Sequence, residues 1–153
     1  MSRPAVPVLA LQADPVAFVG VAGRDIALPW SLAALARRVG MGFPPREAAL
    51  EAAIAEVEDA LMPQIPALRR GGGDVLSVAG GQGAAIAALA AGTGAREASL
   101  DQVERLFNRL ACVAAGRPAA VEGLPEDAGL ALALLLVRET LHHAGYAVLR
   151  AAP

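Results

Sequence analysis

The sequence predicts an α/β domain whose mixed sheet opens with an antiparallel three-strand meander and carries helices on both faces. Three observations lead there. Residues 6–31 hold three short extended runs separated by turn chemistry, and residues 74–79 form a β-branched run ending in glycines that open an alanine-rich helical pattern. The rest of the chain is mostly helical, with a last extended run at 146–150. Hairpin-linked strands followed by strands reached through helices give a sheet that is antiparallel on one side and parallel on the other. The 153 residues fit one domain, 1–153, with 6–31 as the meander and 32–153 supplying the helices and the later strands.

The meander runs are Val6–Leu11, Val16–Val21 and Asp25–Leu28, separated by Ala13-Asp14-Pro15 and Gly23-Arg24. Asp-Pro fixes a turn and glycine accepts positive φ. Ser31 caps a helix over Leu32–Val39 that stops at Gly40. A longer helix follows over Arg46–Met62, with Leu50, Ile54, Val57 and Leu61 on one face and most of its acids elsewhere. Pro63 and Pro66 predict a kink or break before Leu68, and Gly71-Gly72-Gly73 lets the chain reverse into the strand Asp74–Ala79. The helix after that strand is expected over Ala84–Ala91. Ser99-Leu-Asp-Gln102 has the form of a capping box, so a helix should run from there through Ala114, with Val103, Leu106, Phe107, Leu110 and Val113 buried. A final helix over Glu126–Ala144, apolar nearly all round between Leu130 and Val137, is expected to be buried on several sides, and Gly145 ends it before a strand starting at Tyr146.

Composition excludes several function classes. All 13 basic residues are arginines, which removes Schiff-base and P-loop lysine chemistry. Only five aromatics and a net charge of −2 argue against a nucleic-acid platform. The hydrophobic excess is largely alanine, 37 residues, consistent with a coding bias. The lone Cys112 permits no internal disulfide, and its apolar setting predicts a buried, inert thiol. Ala128–Val137 is about half of the roughly 20 residues a membrane span needs, and the N-terminal apolar run is broken by prolines. A cytoplasmic protein with no membrane and no nucleic-acid partner is expected.

The most specific local feature is Ala79-Gly80-Gly81-Gln82-Gly83, placed between strand and helix. Such a turn aims backbone N–H groups and the positive helix end at one spot, which suits a phosphate or carboxylate. The competing explanation is a tight turn with close helix–sheet packing. The candidate ligand-binding residues are therefore Gly80, Gly81, Gln82 and Gly83, although the string is neither a Walker motif nor a full dinucleotide fingerprint. No catalytic residue and no metal ligand is assigned. His142 and His143 point about 100° apart on a helix and so do not share one metal; they read as a polar helix end. Glu47, Glu51 and Glu58 read as a solvated face, Arg69-Arg70 as complements of a helix dipole, and Ser77 lies in no nucleophile elbow.

The order of elements from about 26 to 149 resembles the second domain of the exopolyphosphatase and guanosine pentaphosphate phosphatase family, in the actin-like ATPase superfamily. Four places carry the resemblance: Ile26-Ala-Leu-Pro-Trp-Ser-Leu-Ala-Ala-Leu-Ala-Arg-Arg38; Pro44-Pro45 with the Glu-rich helix; Val78-Ala-Gly-Gly-Gln-Gly with its Ala-rich helix; and Ser99-Leu-Asp-Gln102 through Gly123-Leu-Pro-Glu-Asp-Ala128. It implies a ribonuclease H-like half domain. In the family, Mg²⁺ and a catalytic carboxylate come largely from the first domain, which has no counterpart in this stretch. The expected phosphate loop between the first two strands is replaced by Leu11-Gln12-Ala13-Asp14-Pro15, Gln82 stands where the family has Thr, and Asp127 where it has Arg. The resemblance therefore implies a degenerate, non-catalytic half domain acting as a binding or assembly module, without cofactor. A homodimer or a complementary half-domain protein would be the partner, and a phosphate-containing ligand the small molecule. The alternative is a phosphate-ester or nucleotide phosphohydrolase, Mg²⁺-dependent, whose cleft a dimer partner completes.

Overall fold

The computed structural model describes residues 6–153. Its strands are β1 (Val8–Ala10), β2 (Ala17–Val21), β3 (Arg24–Ala27), β4 (Val75–Ala79), β5 (Glu97–Ser99) and β6 (Val148–Ala151). Its helices are α1 (Leu32–Val39), α2 (Glu47–Leu61), α3 (Ile65–Arg70), α4 (Gly81–Ala91), α5 (Leu100–Ala114), α6 (Ala119–Glu122) and α7 (Ala128–Ala144). The strands form one sheet in the order β3-β2-β1-β4-β6-β5. The meander pairs antiparallel, β1 and β6 flank β4 in parallel, and β5 returns antiparallel to β6. The predicted meander and mixed sheet are therefore present.

Several boundaries move for local reasons. The first strand begins at Val8, two residues later than expected. Pro63 and Pro66 bend the chain without breaking it: a short 3-10 turn over Met62–Gln64 leads into α3, and both prolines sit in first turns, where their missing N–H costs no hydrogen bond. The last strand starts at Val148, not Tyr146, because the Tyr146 N–H returns to Leu141 O at 3.1 Å to close α7. The unforeseen β5 has only three residues and no apolar alternation; Glu97 on Arg150 at 2.7 Å and Arg96 on the carbonyls of Ala151 and Ala152 hold it to β6.

The helices bury one face of the sheet, where two had been expected. Leu9, Phe18, Leu76, Val78, Ala98 and Leu149 lie on the same face by register and are all buried. The alternate positions, Val8, Ala10, Ala17, Val75, Ser77 and Val148, are half-buried, and Val19 is 41% exposed. The cause is topological. The crossovers β3 to β4 and β4 to β6 join parallel strands and step the same way along the sheet, so right-handed connections place their helices on one side.

On that side α7 is the central element, packing against α1, α2, α3, α4, α5 and β6. Leu130 through Val137 are buried without interruption. Each such leucine contributes about 1.5–3 kcal/mol by leaving water. Asp127 caps this helix by accepting from Leu130 N at 3.0 Å, and Gly145, in the left-handed region, ends it. The capping box of α5 is complete: Ser99 Oγ accepts from Gln102 N, and Gln102 Oε1 accepts from Ser99 N. Among the described residues, no helix is long and apolar enough to cross a membrane.

Candidate functional site at the turn between β4 and α4

The chain leaves β4 at Gly80, whose φ of +87° few side-chain-bearing residues adopt. The helix begins at once: α4 starts at Gly81, three residues before the expected Ala84. Gly81, Gln82 and Gly83 thus form the first helical turn, and only Gly80 is loop. The difference follows from the sheet. A Cβ on Gly83 would lie 2.6 Å from the Val78 carbonyl oxygen, so the absence of a side chain lets α4 settle directly on β4 and start early. Gly83 is a packing glycine, as the competing explanation held. Gly81 is different: it is exposed, and nothing lies within 4 Å of a Cβ built there.

The first N–H groups of a helix have no intrahelical acceptor. That of Gly83 turns back to Gly80 O at 3.2 Å, leaving the first turn of α4 with its positive end toward solvent. The turn also lies at the carboxyl ends of parallel β1 and β4, which pair Ala10 with Ala79. In open α/β sheets that edge is where ligands bind. Facing it is the β1–β2 connection, whose Gln12 Cγ lies 3.8 Å from the position of a Cβ on Gly80.

A third element reaches the same place. A Cβ on Gly129, in the first turn of α7, would stand 3.6 Å from Gln82 Nε2 and 3.3 Å from Asp127 Oδ1. The N-termini of α4 and α7 therefore converge on Gln82. Its Oε1 is buried with no hydrogen-bond partner. The sequence identified the glycines, but Gln12, Asp127 and Gly129 join them only through the fold. Asp127 Oδ1 is committed to its cap, and among the described residues the one group of three or more metal-ligating side chains with ligand atoms within 4.8 Å of one another lies elsewhere.

Other residues singled out earlier have structural positions. Arg69 donates Nε and Nη2 to His143 O at 3.2 and 2.8 Å, so it complements a helix end, that of α7 rather than its own. Cys112 is exposed, contrary to expectation, because α5 turns Leu110 and Val113 inward and leaves 112 on its outer side. Ser77 pairs with Val8 and Arg150 on the less buried face of the sheet. Glu47 and Glu51 are solvated as expected, whereas Glu58 is half-buried against His143.

No protein-family model matches the sequence, and no curated protein does. Solved structures do. The crystal structure of the Aquifex aeolicus member of the Ppx/GppA family aligns with a TM-score of 0.67 and 17% identity, over 96% of this chain and 51% of that one. An exopolyphosphatase-like protein aligns with a TM-score of 0.65 and 14% identity, over 97% and 56%. The type II variant of the Aquifex aeolicus Ppx/GppA phosphatase gives 0.63 and 15%, over 99% and 54%. This chain therefore spans about half the length of the structures it matches. In fold the chain is similar to about one half of these Ppx/GppA structures.

Proposed function

We propose that this half domain is a non-catalytic binding and assembly module that takes a phosphate-containing ligand at the first turn of α4. The observation that carries the reading is the asymmetry of the sheet edge. On the β4 side, glycines at 80 and 81 leave a helix N-terminus open to an anion. On the β1 side, Gln12, Ala13 and Asp14 offer no glycine nest, and Asp14 there and Asp127 at the start of α7 bring negative charge. Such an edge holds an anion from one side only, whereas catalysis of phosphoryl transfer depends on positioning and charge stabilisation around the whole group. The half-buried, Val- and Ala-lined second face of the sheet supports assembly, with a second copy or a complementary half domain as partner.

Size-exclusion chromatography with light scattering should show dimers at high micromolar concentration; a strict monomer there sinks the homodimer. Titration with inorganic phosphate or short polyphosphate should shift the amide resonances of Gly81 and Gln82, and Gly81→Asp should abolish the shifts. No phosphate should be released from polyphosphate or guanosine pentaphosphate. Saturable, Mg²⁺-dependent release lost in Gly81→Asp would instead establish the phosphohydrolase reading, in which a dimer partner completes the cleft.

A further inference from the structure

At the other end of α7 the fold assembles a cluster that the sequence keeps apart. Glu139 and His143 lie one turn apart on α7, and His143 Nε2 stands 3.0 Å from Glu139 Oε2. From α2, Glu58 Oε1 approaches the same Nε2 at 3.8 Å. Among the described residues these three are the one group of three or more metal-ligating side chains whose ligand atoms all lie within 4.8 Å of one another. We propose that Glu58, Glu139 and His143 form a binding site for a divalent transition metal, with Zn²⁺ the best-fitting ion and water in the remaining position.

Four features support this. With ligand bonds of about 2.0–2.1 Å, two donors in a tetrahedral zinc site sit roughly 3.3 Å apart, so 3.0 and 3.8 Å bracket the required spacing and small side-chain movements close it. Glu139, only 3% exposed, has its other oxygen, Oε1, held by Arg138 Nη1 at 2.8 Å. That is the arrangement in which an outer partner orients a ligating carboxylate. Glu58 and His143 are part-exposed, so an ion can enter and keep a solvent ligand. The C-terminal end of α7 carries the negative end of its dipole, which Arg69 on the His143 carbonyl meets in part, and this end favours positive charge. One imidazole nitrogen with two carboxylates selects zinc or a similar transition ion over Mg²⁺ and Ca²⁺, which prefer all-oxygen sets. The competing account is a metal-free cluster in which the His143 imidazole hydrogen-bonds Glu139, with Arg138 on Glu139 and Arg69 on the His143 carbonyl as the neighbouring cations. A bound ion would tie α2 to α7. Gly129 and His143 are separated by about 21 Å of helix, so this site is independent of the glycine turn.

The test is calorimetric titration of the chelator-treated chain with ZnCl₂ and, in parallel, MgCl₂. One Zn²⁺ per chain should bind and raise the thermal midpoint, and Mg²⁺ should do neither. His143→Ala and Glu58→Gln should each weaken Zn²⁺ binding at least about tenfold. His142→Ala and Cys112→Ser should leave it unchanged. Glu58→Gln is the decisive variant, because Glu58 is part-exposed and its removal leaves the core packed even where a change at Glu139 prevents folding. Co²⁺ should give the visible absorption of a tetrahedral complex. Failure of Zn²⁺ to bind at millimolar concentration, or binding that survives His143→Ala and is lost in Cys112→Ser or His142→Ala, overturns the proposal.

Discussion

The two ends of α7 make opposite kinds of site. At its N-terminus, the glycine turn after β4 is contiguous in sequence and its geometry is set by backbone: Gly80 by its positive φ and Gly83 by contact with Val78. At its C-terminus, Glu58, Glu139 and His143 meet through side chains, two from one helix and one from another. The first end offers N–H groups and a positive dipole; the second offers carboxylates, an imidazole and a negative dipole. A local turn resists substitution through sterics, and a tertiary cluster resists it through the cost of burying charge.

That difference can be broken most forcefully at Gly83. Gly83→Val should cost at least about 2–4 kcal/mol, read by urea unfolding, because neither the helix nor the Val78 carbonyl can yield cheaply. Next comes the charge cluster. Glu139→Gln should cost about 1–3 kcal/mol, since one buried carboxylate accepts from both Arg138 and His143. Gly80→Ala should cost about 1–3 kcal/mol by forcing a side chain into a backbone conformation, φ +87° with ψ 174°, that is essentially confined to glycine. Gly81→Asp should change stability by less than about 1 kcal/mol, with the dipole favouring the new charge, while removing phosphate binding. A Gly81→Asp chain as unstable as Gly83→Val would show that both glycines serve packing alone.

A smaller effect concerns Tyr146, which follows the Gly145 stop. Its hydroxyl is buried with no hydrogen-bond partner, and burial raises its pKa above the usual 10.0. The unfolded chain therefore loses this proton first, so stability is intact below about pH 10 and falls as pH rises through the higher folded value. Tyr146→Phe should be neutral or slightly stabilising at pH 7, and its unfolding midpoint should lose this alkaline dependence.

The resemblance to a half domain rested on the order of short motifs, and the six-strand sheet with its meander agrees with that order. Elements with strong local signals came close to their final bounds: α1 between Ser31 and Gly40, α5 from its capping box, and α7 from its apolar run. β5 was invisible because three polar-flanked residues become a strand only when β6 presents its edge. The glycine turn was legible as a strand-to-helix passage, but α4's early start was not, since it depends on contact between Gly83 and Val78. The Glu139–His143 spacing was also present in the chain; only Glu58 required the fold.

What the sequence alone determined is therefore whatever a backbone decides within a few residues: caps, glycine stops, proline bends and apolar stripes. Only the tertiary structure decided which face of the sheet is buried, because that follows from the direction of two successive crossovers. It also decided which polar groups meet at each end of α7. Contacts between residues as distant as Glu58 and His143, or Gln82 and Gly129, are fixed by helix packing, and packing is a property of the whole core.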